Sequence, residues 1–207
     1  MRIDKKNKRF IYLISPNYIK NNDFYEKLKK ILSSNKVNFF QLRLKKEKRK
    51  KKIIIAKKIK KICKKHNVKF LINDDPMVAR KLNADGCHLG QKDMNILSAR
   101  KILKNKIIGV TCHNSIKLAK NAISSGASYI AFGAFYSSKT KKTKFKASLK
   151  ILSLAKKLTN TPVVAIGGIK DTNYKKLLLN KANFLAISSY IWNNKKLNPK
   201  EAIKKLK

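Results

Sequence analysis

The chain has 207 residues, enough for one substantial hydrophobic core and about one domain. Its 52 Lys and Arg residues against 10 Asp and Glu residues give a formal net charge of +42, but 43% of the residues are hydrophobic, which excludes a disordered basic tail. No apolar stretch is long enough for a membrane span or a signal peptide, so we expect a cytoplasmic protein. The three cysteines, Cys63, Cys87 and Cys112, are far apart and odd in number, which disfavours structural disulfides and a zinc site.

The positive charge does not identify a partner by itself. A field of this sign attracts nucleic acid, anionic lipid and phosphorylated small molecules, and it makes each association sensitive to salt. Lysines occur along the whole chain, so we interpret most of them as solvated helix faces. The densest basic run, residues 45–52, is the main candidate for an exception.

Short apolar runs alternate along the chain with lysine-rich segments of helical periodicity. The runs predicted as strands are residues 10–14, 37–42, 69–72, 86–89, 107–110, 129–132, 163–166 and 184–187. The segments predicted as helices are residues 23–34, 48–66, 76–82, 95–103, 115–125, 147–158, 171–179 and 199–206. Eight repeats in 207 residues, roughly 26 residues each, favour an α/β fold with a single (β/α)8 TIM barrel that spans residues 1–207 as one domain.

An open, doubly wound sheet is the alternative arrangement of the same elements. A dinucleotide-binding sheet would carry a glycine-rich turn after its first strand, but this chain has Ser15-Pro16-Asn17 there. This turn disfavours the open sheet. In a barrel, the loops that follow the strands form one rim and carry the active site.

Cationic and acidic side chains follow the second, third and fourth predicted strands. Alternation places Gln41, Arg43 and Lys45 on one face, which we expect to be the lumen, with an exposed edge strand as the alternative. Asp74 and Asp93 follow neighbouring strands, and carboxylates completed by water and substrate phosphate suit Mg²⁺.

Two further acids in this region have structural interpretations. We expect Asp75 to cap the helix that begins at Pro76, because Asp is a favoured N-cap and Pro a favoured first helical residue. Asp85 precedes the fourth strand, at the opposite end of the barrel, and is expected to serve a turn.

The later loops predict a second anion site. Residues 133–141 follow the sixth strand and contain several hydroxyl and lysine side chains, while Gly167-Gly168 and Ser188-Ser189 follow the last two strands. Loops in these positions commonly bind phosphate through backbone N–H groups. His88 and His113 enter the lumen or serve the structure, His66 ends a helix, and no nucleophile is assigned.

An ordered set of motifs between the second and eighth predicted strands resembles the thiamine phosphate synthase family. The motifs are Gln41-x-Arg43-x-Lys45, Ile72-Asn73-Asp74-Asp75, Ala84-Asp85-Gly86-Cys87-His88-Leu89-Gly90-Gln91-x-Asp93, Gly109-Val110-Thr111-x-His113, Thr140-Lys141 and Gly167-Gly168-Ile169. Each motif alone is modest, and their order makes the set specific.

The resemblance implies a Mg²⁺-dependent transferase that joins hydroxymethylpyrimidine diphosphate to thiazole phosphate, releases pyrophosphate and makes thiamine phosphate. Its Mg²⁺ ligands would be Asp74 and Asp93. The pyrimidine diphosphate would be bound by Gln41, Arg43, Lys45, Asn73, Thr111 and Lys141, and the thiazole phosphate by Ser138, Lys139, Thr140, Gly168, Ser188 and Ser189. Arg43 and Lys141 would be the catalytic cations, because charge develops on the departing diphosphate when its carbon–oxygen bond breaks.

The chain departs from the family pattern at several positions. Ala134 and Ser137 stand where prolines are usual, Ser138 where threonine is usual, and Asn114 follows the histidine in place of threonine. The segment Asn180-Lys181-Ala182-Asn183-Phe184 replaces a glycine-containing Ala-Gly-Ala-x-Gly pattern, which would reshape the thiazole phosphate pocket.

Two alternative functions remain at this point. A thiazole tautomerase of the same superfamily usually lacks the complete metal and diphosphate set, and a basic nucleic-acid-binding protein would not need Asp93. The expected partners are therefore small phosphorylated substrates, with no membrane and with nucleic acid bound only non-specifically through charge. The oligomeric state is left open, a homo-oligomer included.

Overall fold

The computed structural model describes residues 10–19, 21–137 and 144–206. Within this part of the chain, eight parallel strands close into a barrel in the order β1 to β8, and helices connect them. The strands are β1 Ile11–Ile14, β2 Val37–Leu42, β3 Lys69–Asn73, β4 Gly86–Leu89, β5 Ile107–His113, β6 Tyr129–Gly133, β7 Val163–Ile166 and β8 Phe184–Ile187. The helices are α1 Asp23–Leu32, α2 Arg49–Lys65, α3 Pro76–Lys81, α4 Ile96–Leu103, α5 Ile116–Ser124, α6 Lys150–Leu158, α7 Tyr174–Leu179, α8 Ser189–Trp192 and α9 Pro199–Lys205.

The predicted (β/α)8 barrel is confirmed, with each of the eight predicted strands in place. The helix α8 was not predicted, because a single turn directly after β8 is too short to show helical periodicity. Strand β5 extends to His113, beyond the predicted end at residue 110, with a register irregularity between Thr111 and His113. This extension carries Thr111 to the rim as part of a strand.

The apolar side chains form two cores. One lies between the barrel and the surrounding helices, and the other fills the lumen with inward-pointing side chains from alternate strand positions. The lumen core comprises Tyr12, Ile14, Phe39, Leu71, Tyr129, Ala131, Val164, Phe184 and Ala186. A large aromatic content closes the lumen below the rim, so the open, polar part of the barrel lies at the carboxyl ends of the strands.

Asp75 and Asp85 both have structural roles. Asp75 caps a helix, as predicted, whereas the Asp85 carboxylate bonds to strand β3 instead of the predicted turn. The carboxylate of Asp75 accepts a hydrogen bond of 2.8 Å from the backbone N–H of Val78 and caps α3. The carboxylate of Asp85 accepts one of 2.9 Å from the N–H of Phe70 at the amino-terminal end of the barrel, and it pairs with Lys69 at 3.4 Å.

The three cysteines are buried free thiols. Burial raises the pKa of each thiol, most directly for Cys63 and Cys87, so they are inert packing residues. Among the described residues, no helix is both long and apolar enough to cross a membrane.

Candidate active site

Gln41 and Asn73 form the polar floor of the rim. Gln41 is 2% exposed and lies in the lumen, where its amide Nε2 donates a hydrogen bond of 3.0 Å to Oδ1 of Asn73. Strand β2 pairs with both β1 and β3, so the alternative of an exposed edge strand is wrong. Two strands that end side by side thus present a pair of fixed amide groups toward the mouth of the barrel.

Arg43 and Lys45 lie beyond the end of β2 at Leu42, so the predicted strand alternation does not extend to them. The guanidinium of Arg43 donates a hydrogen bond of 3.1 Å to Oδ1 of Asn17. Partial burial lowers the pKa of Arg43, and Asp74 opposes this shift. Lys45 reaches across the rim, and its Nζ lies 2.9 Å from Oδ2 of Asp74. Both cations therefore face the acidic part of the rim, although Lys45 is half-exposed and does not occupy the lumen.

Asp74 and Asp93 bring two carboxyl groups together at the ends of β3 and β4. Asp74 has a positive φ of 64°, and one carboxylate oxygen of Asp93 accepts a hydrogen bond of 2.7 Å from the N–H of Gly90. Burial raises the pKa of Asp93, and the hydrogen-bonded Asp74 carboxyl raises it further. Burial also acts to raise the pKa of Asp74, but its hydrogen bonds with Lys45 and Asp93 outweigh this, so its net pKa is lowered.

Two carboxyl groups in this arrangement suit a divalent cation. Two adjacent carboxylates repel each other when both are ionised, and a divalent cation between them relieves that repulsion. The described residues contain no cluster of three or more His, Cys, Asp or Glu side chains suited to a metal. A cation held here would therefore complete its coordination with water and substrate oxygens, as Mg²⁺ commonly does.

A cleft of about 470 Å³ opens beside the Asp74 carboxylate. Lys45, Asn73, Asp74 and Met94 line it, together with Lys52 from the first turn of α2. Sequence reasoning missed Lys52 because it stands in an unbroken basic run in which no lysine is distinguished from its neighbours. Its position in the first turn of the helix after β2 is the only available signal. Within the described part of the chain, its ammonium has no hydrogen-bond or ion-pair partner.

Thr111 and His88 meet at the ends of β5 and β4. The Oγ1 of Thr111 lies 2.8 Å from Nε2 of His88, and the imidazole enters the lumen against Tyr12 and Tyr129. His113 instead has a positive φ of 52° and stacks its ring on Phe145 at 4.0 Å. Of the two histidines predicted for the lumen or the structure, His88 is thus in the lumen and His113 is outside it.

Gly167 and Gly168 form a tight backbone turn after β7, where the sequence predicts a second anion site. Their φ angles are +107° and +60°, and a Cβ on Gly167 would lie 2.4 Å from Cβ of Ala134. A Cβ on Gly168 would lie 2.3 Å from the carbonyl oxygen of Ser137. Glycine is required at both positions, because the loop after β7 packs directly on the backbone that follows β6.

Ser188 and Ser189 stand at the start of α8, on the same side of the rim. The hydroxyl of Ser188 donates a hydrogen bond of 3.1 Å to the carbonyl of Ser15, and Ser189 is the first helical residue. The structure therefore places Gly168, Ser188 and Ser189 after the last two strands. The other predicted ligands of this site, Ser138, Lys139, Thr140 and also Lys141, lie outside the described residues.

Ser15 connects the two halves of the rim. It is 2% exposed, its Oγ accepts a hydrogen bond of 2.9 Å from the N–H of Arg43, and its carbonyl accepts the hydroxyl of Ser188. The sequence showed Ser15 and Asn17 only as turn residues. Their contacts with Arg43 depend on the closure of the barrel between β1, β2 and β8, which no local pattern reveals.

The departures from the family pattern lie in different parts of the barrel. Lys181 has a φ of +73°, the left-handed conformation that glycine adopts without strain. Phe184 begins β8 at the end of the barrel away from the rim, where it packs edge-on against Phe39 at 5.0 Å. Phe184 therefore does not line the phosphate side of the rim. Ala134 is fixed by backbone hydrogen bonds with Phe145 and Ala147, of 3.1 and 2.9 Å.

Together the closed parallel barrel and its polar rim define a (β/α)8-barrel enzyme. A sequence model of the family described as thiamine monophosphate synthase matches residues 11–191, and the chain belongs to this family. It is 70% identical over 207 residues to the thiamine-phosphate synthase of Pelagibacter ubique, covering all of both chains. It is 43% identical over 152 residues to that of Saccharophagus degradans, covering 73% of this chain and 70% of the relative.

The solved structures agree with this assignment. Thiamine phosphate pyrophosphorylase from Pyrococcus furiosus superposes with a TM-score of 0.85 and 26% sequence identity. The superposition covers 98% of this chain and 96% of that structure.

Proposed function

We propose that the rim catalyses the Mg²⁺-dependent condensation of hydroxymethylpyrimidine diphosphate with thiazole phosphate, giving thiamine phosphate and pyrophosphate, and that residues 1–207 act as one domain. The observation that carries this proposal is the Asp74–Asp93 carboxyl pair, with Lys45 at 2.9 Å from Asp74. Family membership and the 70% identical thiamine-phosphate synthase support the same activity.

The pyrimidine ring would be held by the amide and hydroxyl groups at the mouth of the lumen. Gln41 and Asn73 are fixed by their mutual hydrogen bond of 3.0 Å, and Thr111 is fixed by His88. These groups need little rearrangement when substrate binds, which keeps the entropic cost of binding low.

Asp74 and Asp93 would hold the Mg²⁺. The residues present fit this ion, because both groups are oxygen ligands and burial together with Asp74 makes ionised Asp93 unfavourable without a nearby cation. When bound, the ion would supply positive charge that neutralises the diphosphate.

The protein side chains then stabilise the leaving group. Arg43 and Lys45 face the acidic side of the rim and present fixed positive charge to a departing diphosphate. Charges that are already in place need not reorient as the carbon–oxygen bond breaks, which lowers the activation free energy. Lys141, which lies outside the described residues, is assigned the same role from its motif.

The thiazole phosphate would bind on the opposite side of the rim. Gly168 presents its backbone there, and Ser188 and Ser189 supply hydroxyl groups at the start of α8. Ser138, Lys139 and Thr140 complete the set assigned from the sequence. The two anions would thus approach each other across Ser15, which is bonded to both Arg43 and Ser188.

An assay of the purified protein tests this proposal. The protein is incubated with both substrates and either Mg²⁺ or excess chelator, and thiamine phosphate is measured. We expect product only with Mg²⁺. Undiminished product in chelator would contradict the metal assignment. Isomerisation of the thiazole without condensation would support a tautomerase, and salt-sensitive RNA binding without either reaction would support the nucleic-acid alternative.

A further inference from the structure

Four side chains form a continuous hydrogen-bonded chain from the lumen core to the rim. The hydroxyl oxygens of Tyr12 and Tyr129 are 2.7 Å apart, and the Tyr129 hydroxyl lies 2.8 Å from Nδ1 of His88. The Nε2 of His88 lies 2.8 Å from Oγ1 of Thr111. Four different strands, β1, β6, β4 and β5, contribute these residues, so only the closed barrel assembles the chain.

The inner end of this chain is sealed from water. Tyr12 and Tyr129 are 1% and 2% exposed, and their rings meet edge-on at 5.7 Å. Gly109 leaves the space for the Tyr129 ring, because a Cβ there would lie 1.8 Å from Cζ of Tyr129. Burial raises the pKa of both phenols, so each keeps its proton. Every hydroxyl hydrogen therefore needs an acceptor inside the chain itself.

Counting protons indicates the donor-to-acceptor direction along this hydrogen-bonded series of side chains. If Tyr12 donates to Tyr129, then Tyr129 donates to Nδ1 of His88, and Nε2–H of His88 donates to Thr111. If the direction is reversed, Tyr129 donates to Tyr12, and the hydroxyl hydrogen of Tyr12 has no acceptor among the described residues. An unsatisfied buried donor is costly, so the first direction is favoured.

We propose that Tyr129, whose oxygen accepts a hydrogen bond from Tyr12, is a positioning residue that holds His88 in its Nε2–H tautomer and so makes Thr111 a hydrogen-bond donor toward the rim. With its oxygen accepting from His88, the Thr111 hydroxyl keeps its own hydrogen for an acceptor on the bound substrate. This part of the inference rests on the proposed function, in which that acceptor is an atom of the pyrimidine ring. The tautomer itself does not depend on any substrate.

The tautomer is measured first, by long-range proton–nitrogen NMR on the full chain with nitrogen-15-labelled histidine at pH 8. A His88→Gln variant assigns the His88 signals among the three histidines. We expect protonated Nε2 and unprotonated Nδ1 at His88. A wild-type Nδ1–H tautomer would overturn the proposal, whatever the activity of the enzyme.

Two matched tyrosine variants then test the direction. Tyr129→Phe removes the donor to Nδ1, and we expect it to release the tautomer preference of His88. Tyr12→Phe removes a hydroxyl of similar burial but leaves Tyr129 able to donate to Nδ1, so the tautomer should be retained. Retention in Tyr129→Phe, or loss in Tyr12→Phe, would overturn the assigned direction.

Steady-state kinetics test whether this hydrogen-bonded series of side chains affects substrate binding and turnover. We expect Tyr129→Phe to lower kcat/KM for the pyrimidine diphosphate roughly fivefold, the effect of about one hydrogen bond, with the KM for thiazole phosphate unchanged. Thr111→Val should lose the donor and lower kcat/KM for the pyrimidine diphosphate by a similar factor. A changed tautomer without a change in kcat/KM would refute the positioning role. Absence of condensation in the wild type would refute the proposed function and leave the tautomer result standing.

Discussion

Asp93→Asn separates the electrostatic role of the carboxyl from its structural one. The asparagine amide oxygen can still accept the 2.7 Å hydrogen bond from Gly90, so the loop after β4 keeps its local contact. The substitution removes one of two adjacent charges and gives Asp74 a neutral hydrogen-bond donor. In chelator, we therefore expect a variant that is folded and at least as stable as the wild type, but inactive in Mg²⁺-dependent condensation.

The magnitude follows from ligand linkage. A ligand at a hundred times its Kd stabilises the folded state by about 2.7 kcal/mol. For a chain of this length, 1 kcal/mol moves Tm by about 2–4 °C, so saturating Mg²⁺ with inorganic pyrophosphate should raise the wild-type Tm by about 5–10 °C. Asp93→Asn should lose most of this rise. Asp23→Asn, which removes an exposed carboxylate on α1, is the matched control and should keep it.

The dependence of stability on pH gives an independent check in chelator. Burial and the neighbouring Asp74 raise the pKa of Asp93 in the folded protein. A carboxyl with a raised folded-state pKa contributes stability below its ordinary pKa of about 4, and this contribution is lost as pH rises through the folded-state value. The wild type should therefore lose stability relative to Asp93→Asn over this interval. Thermal unfolding scans at several pH values measure it, and an Asp93→Asn variant with the full Mg²⁺ response would refute the reasoning.

Three further substitutions test other parts of the barrel. Lys52→Ala should raise the KM for the pyrimidine diphosphate roughly fivefold with kcat unchanged, because the substitution removes one cation from the cleft. The control Lys50→Ala, on the same helix, should leave this KM unchanged. An equal rise of KM in both variants would indicate only a loss of overall charge. Lys181→Gly should raise the free energy of unfolding, measured in urea, by about 0.5 kcal/mol. Glycine removes the backbone strain of a lysine at positive φ, and this gain exceeds the entropy cost of glycine. A lower free energy of unfolding would contradict this expectation. Lys141→Ala should lower kcat more than it weakens thiazole phosphate binding, whereas unchanged kcat with a raised thiazole phosphate KM would move Lys141 to the other subsite.

The fold could be predicted because the sequence repeats one simple pattern. Each buried strand is a short apolar run, and each helix keeps its apolar residues at helical spacing, so eight alternating units specify a barrel without knowledge of any contact. The helix α8 was missed because a single turn is too short to show helical periodicity. The last residues of β5 were missed because their pairing includes a register irregularity between Thr111 and His113, which no periodic signal marks.

Site residues could be predicted from the sequence only where their residue type is rare in this chain. Acids are scarce in this chain, so Asp74 and Asp93 stood out, and the structure brings them together. Lys52 did not stand out among 52 cationic residues. In the sequence Tyr129 has only the pattern of an ordinary strand residue, because its partners at 2.7 and 2.8 Å come from other strands.

The acidic pair also shows why the large net charge is a poor guide to the site. A chain with a formal charge of +42 would be expected to lower the pKa of every carboxyl it contains, yet the pKa of Asp93 is raised. Exposed charges farther away than about 8 Å are screened at physiological salt, whereas burial and a carboxyl in direct contact are not. Only a cation held at the carboxylates themselves can bring the pKa of Asp93 back down. The distant lysines can therefore attract anionic substrates to the rim but cannot replace the metal that we assign to Asp74 and Asp93.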